Sequence, residues 1–226
     1  MRMRRNAQRA ALSLALAGVC TVARAAGGHH AVDDATILEP GRCEQESWVS
    51  GYHGGAQLLH AGANCRVGPV EFNGAGEYAR GGGASATLWN LEVKWARPVA
   101  EGFAVGLDLL PVWAARQHPR YAATRLNALA TWNLTDSLDL HFNAGHDWPR
   151  GDRDLPRGGV AAEWAPIARW SFVAERYLDT QTHFVRAGAR FAAGPGWSVD
   201  TSYAQRLSGP LPSYWTVGLT IALGRE

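Results

Sequence analysis

From about Gly41 onward the chain alternates apolar with polar or small positions, in runs that recur roughly every sixteen residues. In the last run, Trp215, Val217, Leu219, Ile221 and Leu223 are interleaved with Tyr214, Thr216, Gly218, Thr220 and Ala222. A period of two is the signature of a strand, because successive side chains point to opposite faces. The pattern predicts twelve strands: 42–52, 56–67, 69–79, 85–96, 102–114, 121–134, 137–147, 158–165, 169–178, 182–193, 197–207 and 213–224.

The connections between these runs alternate in length. One set is short: Arg66–Pro69, Arg97–Glu101, Thr135-Asp136, Pro166-Ile167 and Gly194–Gly196. The other is longer or more polar: Arg80–Ala84, Ala115–Arg120, Asp147–Arg157, Asp179–Gln181 and Leu207–Pro212. Tight turns at one end and larger loops at the other are the habit of transmembrane barrels, and an even strand number returns both termini to the tight-turn side.

Alternation also assigns faces. Trp89, Leu91, Val93 and Trp95 share one face, with Asn90, Glu92 and Lys94 on the other; Leu138, Leu140, Phe142 and Ala144 oppose Asp139, His141 and Asn143. Charges almost never enter the apolar register. Trp95, Trp132, Trp164, Trp170 and Trp197 sit beside the short turns, and Tyr121, Trp148, Tyr177 and Trp215 lie toward the opposite end, as two interfacial girdles would. A water-soluble sandwich also alternates, but twelve strands with loops alternating in length argue against it. The predicted fold is all-β: one antiparallel transmembrane β-barrel with a lipid-facing apolar exterior.

The first 25 residues change the compartment. Arg2, Arg4, Arg5 and Arg9 precede the apolar stretch Ala10–Val22, and Ala23-Arg24-Ala25 supplies an A-x-A cleavage pattern, together an export signal. The expected organisation is a signal peptide at 1–25, a flexible periplasmic leader at 26–40 and a barrel at 41–226. Of the 22 basic residues five leave with the signal, so the net charge of +2 becomes −3 against 20 acidic residues. The basic pI thus belongs to the precursor and gives no reason to expect nucleic acid as a partner. Cys43 and Cys65 flank Tyr52-His53-Gly54-Gly55 symmetrically; a turn centred there sets them opposite each other on adjacent strands, and an oxidising compartment favours a disulfide.

With export signal, alternating segments and terminal strand Tyr214–Leu223 in hand, the chain resembles the Gram-negative outer-membrane β-barrel class across its mature length. The resemblance implies the bacterial outer membrane, contact with its lipid, and insertion by the barrel assembly machinery. Gly224-Arg225-Glu226 follow Leu223 where such barrels usually close on an aromatic residue. Asp33–Cys43 also looks like a leader shared by uncharacterised exported proteobacterial proteins.

The inward register holds Glu44, Glu46, Glu71, Glu77, Asp108, Glu175 and Arg206, and the candidate lumen wall Glu92, Lys94, Arg125, Asp139, His141, Glu163, Arg186, Arg190 and Asp200. Two readings stand. In a narrow channel passing small hydrophilic solutes these groups select what passes. In a structural or adhesion barrel they pair as carboxylate–arginine networks in a packed interior, since isolated buried charge is costly, and outer loops do the binding. A lipid hydrolase is a third, weaker reading: it needs a serine activated by histidine at the outer rim, but near His146 no serine lies within Gly145–Pro166. The chain is therefore expected not to be an enzyme, and no cofactor is called for. His29-His30 with Asp33-Asp34 is the densest cluster of metal-ligand types and a weak metal candidate; a flexible polar leader is the favoured reading.

Overall fold

The computed structural model describes residues 29–224. The predicted export signal, and the bond after Ala25 where it would be cut, lie outside the described residues. Twelve strands form: β1 Cys43–Tyr52, β2 Gln57–Val67, β3 Val70–Gly81, β4 Ala84–Ala100, β5 Phe103–Ala114 and β6 Tyr121–Thr135. They continue with β7 Leu138–Pro149, β8 Leu155–Ile167, β9 Trp170–Asp179, β10 Thr182–Gly194, β11 Trp197–Ser208 and β12 Tyr214–Leu223. Each pairs antiparallel with its neighbours in sequence, and β12 returns to β1, Cys43 opposite Leu223 and Tyr52 opposite Tyr214. Closure leaves no strand edge unpaired, which is the condition a sheet must meet inside hydrocarbon.

The faces follow the alternation. Leu91, Trp132, Phe142, Trp164 and Trp197 are exposed on the outside, whereas Asn90, Lys94, Asp139, His141 and Asp200 are buried on the inside. The usual core is thus inverted: the apolar belt faces outward and the polar groups are enclosed. One small apolar cluster does sit inside, built from Val32, Ala161, Val173, Tyr177, Phe184 and Ala204. Tyr177 corrects the outer girdle expected above. It shares the inward face of β9 with Val173 and Glu175, is 3% exposed, and bonds Tyr214 at 2.7 Å between hydroxyls.

Cys43 and Cys65 are joined by a disulfide between directly opposed positions of β1 and β2, Cα atoms 4.1 Å apart. The turn between these strands runs through Gly54 and Gly55 at φ of 98° and 87°, a left-handed conformation that glycine adopts without steric cost. The five connections of the short set each span two residues. In the opposite set residues 115–120 form the link expected, and the other four connections are shorter than expected. Leu155, Pro156 and Arg157 extend β8 against Asp147, His146 and Gly145, so the largest expected loop shrinks to residues 150–154. Asp147 holds this extension by accepting from Arg157 at 3.0 Å and Arg125 at 3.3 Å.

The leader is the main correction. In place of a flexible periplasmic segment, residues 29–38 cross the inside of the barrel. Leu38 donates its amide to Glu71 (2.7 Å), Ala35 donates to the Thr131 hydroxyl (2.8 Å) and Ala31 donates to Glu175 (3.3 Å). The path runs obliquely from the short-turn mouth beside β3 to mid-height on β9 to β11. Its apolar side chains explain the burial: Val32 and Ala35 are each 1% exposed. Gly159 leaves the space for Val32, since a Cβ there would come within 2.7 Å of Val32 Cγ2.

Candidate functional site: the charged lumen

The inner wall is divided in its electrostatics. Along β8 to β11 the charges are matched. Arg186 lies 3.5 Å from Glu175 and donates to the His29 carbonyl at 2.6 Å; its guanidinium also bonds Tyr177 and Tyr214 and stacks over both rings. Arg190 lies 4.0 Å from Asp200, and Glu163 lies 3.7 Å from His141, whose other nitrogen is 3.0 Å from the Thr131 hydroxyl. A buried charge is tolerated more readily beside an opposite charge, and each of these acids faces a cationic side chain or an imidazole.

The leader completes the pairing. Lys94 reaches Asp33 at 2.8 Å and Asp34 at 3.0 Å; His30 lies 3.2 Å from Glu175. His29 packs Nδ1 against Asp200 and sets Nε2 2.6 Å from the Ser202 hydroxyl. Burial holds the His29 imidazole below the ordinary histidine range, and the Asp200 contact only partly opposes that. His29 and His30, the weak metal candidates, are thus occupied by carboxylates on two different strands.

Not every expected wall residue faces open space. Glu92, Lys94, Arg125, Glu163, Arg186 and Arg190 line a cavity of about 1860 Å³ beside the leader. Asp139, His141 and Asp200 do not. Asp200 is covered by His29, and Asp139 accepts from Asn133 at 2.7 Å. The cavity runs from Arg169 and Gly196 at the short-turn mouth to Asp179 and Tyr52 at the other. Trp48 and His60 stack within it at 3.4 Å between ring centroids, and His60 lies 3.1 Å from Glu77. His146 is outside, stacked with Trp148 at 6.0 Å. The signal for the leader's contribution is its run of apolar residues, Val32, Ala35, Ile37 and Leu38, set among its acids.

Closed sheet, apolar exterior and charged lumen together define an outer-membrane β-barrel of twelve strands. Residues 14–223 match the family described as uncharacterised conserved protein UCP029691, and the chain belongs to that family. Its fold is similar to the KdgM porin (TM-score 0.64, 8% identity, covering 80% of this chain and 99% of that one). It is equally similar to the NanC porin (0.64, 10% identity, 79% and 100%). The Acinetobacter baumannii outer membrane protein Omp33 resembles it at 0.50 and 9% identity, over 82% and 98%. A 2-C-methyl-D-erythritol 4-phosphate cytidylyltransferase of Synechococcus sp. (strain WH7803) is 31% identical over 150 residues, 61% of this chain. The match spans 66% of that protein, just under two thirds.

Proposed function

We propose that the chain is a channel of the bacterial outer membrane, passing small hydrophilic solutes passively through a lumen that its own leader narrows. The observation that carries this reading is the polar cavity of about 1860 Å³, whose lining reaches both mouths of the barrel. Water and small solutes need such a path. Twelve strands give a bore between the filled interior of eight-stranded barrels and the open channel of sixteen-stranded porins. The similar folds point the same way, being porins; one of them, KdgM, was solved in complex with disordered oligogalacturonate. Outer-membrane lipid around the belt and the barrel assembly machinery are the partners this reading calls for.

A second reading rests on the leader itself. A segment bonded to strands on several sides of the lumen is also what a permanently filled, structural barrel would contain. Single-channel recording in planar bilayers separates the two. Discrete, ohmic steps from the purified, heat-modifiable barrel are expected. A folded, inserted barrel that passes no current would leave the structural reading and remove the channel.

A further inference from the structure

We infer that the lumen is selective for cations and cationic solutes, an inference that rests on the channel reading and names its substrate class. The cavity is lined by twelve acidic residues against seven basic ones. The excess is not spread evenly. On β8 to β11 the acids are neutralised by Arg186, Arg190 and His141, as described above. On β1 to β5 the inward carboxylates are Glu44, Glu46, Glu71, Glu77, Glu92 and Asp108, and against them stand Lys94 and, at the short-turn rim, Arg66, whose guanidinium donates to the Leu38 carbonyl at 2.8 Å. Lys94 is already engaged by two leader carboxylates.

The partners of this acidic wall are largely uncharged. Glu44 accepts from the Asn64 amide at 3.2 Å, Glu71 from the Leu38 backbone, and Asp108 from Asn127 at 3.0 Å. Such donors fix the carboxylates in place and leave the charge uncompensated. Glu46 is 6% exposed, lines the cavity, and its Oε1 has no hydrogen-bond partner among the described residues. Deeper in, carboxylate oxygens of Asp33, Glu92 and Asp108 all lie within 4.8 Å of one another. Fixed negative charge in a narrow aqueous bore, walled by low-dielectric protein and lipid, draws in mobile cations and excludes anions. A polyanion such as the oligogalacturonate held by the KdgM porin would meet this wall as a like charge.

The test is the reversal potential of the purified barrel under a tenfold KCl gradient at about pH 9, where the wall carboxylates are ionised. The expected sign is that of potassium, with a cation-to-anion permeability ratio above about five. The triple variant Glu44→Gln, Glu46→Gln, Glu92→Gln should lower that ratio at least about two-fold while conductance persists. Heat-modifiable mobility shows that the variant is folded; if it is not, the sign in the unaltered barrel still decides. Reversal on the chloride side, or a ratio untouched by the three neutralisations in a folded variant, overturns cation selectivity and leaves the channel standing. Absence of any current overturns the channel reading itself, and cation selectivity with it.

Discussion

Lys94 shows how single side chains set the state of the lumen. The residue is 8% exposed, and its ammonium holds Asp33 and Asp34, the latter 2% exposed. Removing one partner of a buried charge pair leaves the other uncompensated, at a cost of about 3–5 kcal/mol, so Lys94→Met should undock the leader. The check is a thiol introduced by Ala35→Cys, at a position 1% exposed. It should resist maleimide in the parent barrel and react quickly once Lys94 is Met; equal protection in both would refute the anchoring role. His29 supplies a pH dependence. Its folded-state pKa is lowered by burial, so between the folded and unfolded values the unlocked leader binds more protons than the docked one. Docking is therefore strongest above about 6.5 and is lost progressively as pH falls below it. Relative to an unhindered thiol at the same pH, the same thiol should label faster at mildly acidic pH, and His29→Gln should remove that component of the acceleration.

The strands were legible in the sequence and the leader was not, for one physical reason. Alternation is a local property: Leu91 and Val93 declare their face through Asn90, Glu92 and Lys94 beside them, and hydrocarbon outside punishes any charge in the wrong register. The strand positions, the inward charges and the Cys43–Cys65 bridge all follow from such local spacing. The leader's destination depends on distant residues. Val32 is seated because Gly159 lacks a Cβ, and Asp34 is held by Lys94 on β4. Nothing within residues 29–38 names those partners. Tyr177 departs from the outer girdle because the alternation of its own strand, and not its aromatic character, sets its face. As an element the leader occupies bore that solutes would otherwise use. Deleting residues 29–38 should raise single-channel conductance roughly two-fold or more without altering heat-modifiable mobility. Unchanged conductance would show that the free path never passed the leader.

At the scale of the whole molecule, the exterior belt sets where the barrel can exist. Leu91 lies midway along β4 and is 52% exposed, whereas Val67 ends β2 at the short-turn rim and is 60% exposed. Lipid distinguishes them by depth. Leu91→Arg should lower folding stability in bilayers by about 2–4 kcal/mol, and Val67→Arg by no more than about 1. Equal penalties in a urea titration would mean that the belt is not centred where the strands place it. The connections opposite the short turns carry a different consequence. β3 passes to β4 through Gly82-Gly83 alone, β9 to β10 through Thr180-Gln181, and the longest link is residues 115–120. A cell displaying this protein therefore shows the outside world almost bare membrane at that spot. A bacteriophage or an antibody would find scant relief to grip, and a protease added to intact cells would meet few loose peptide bonds to cut.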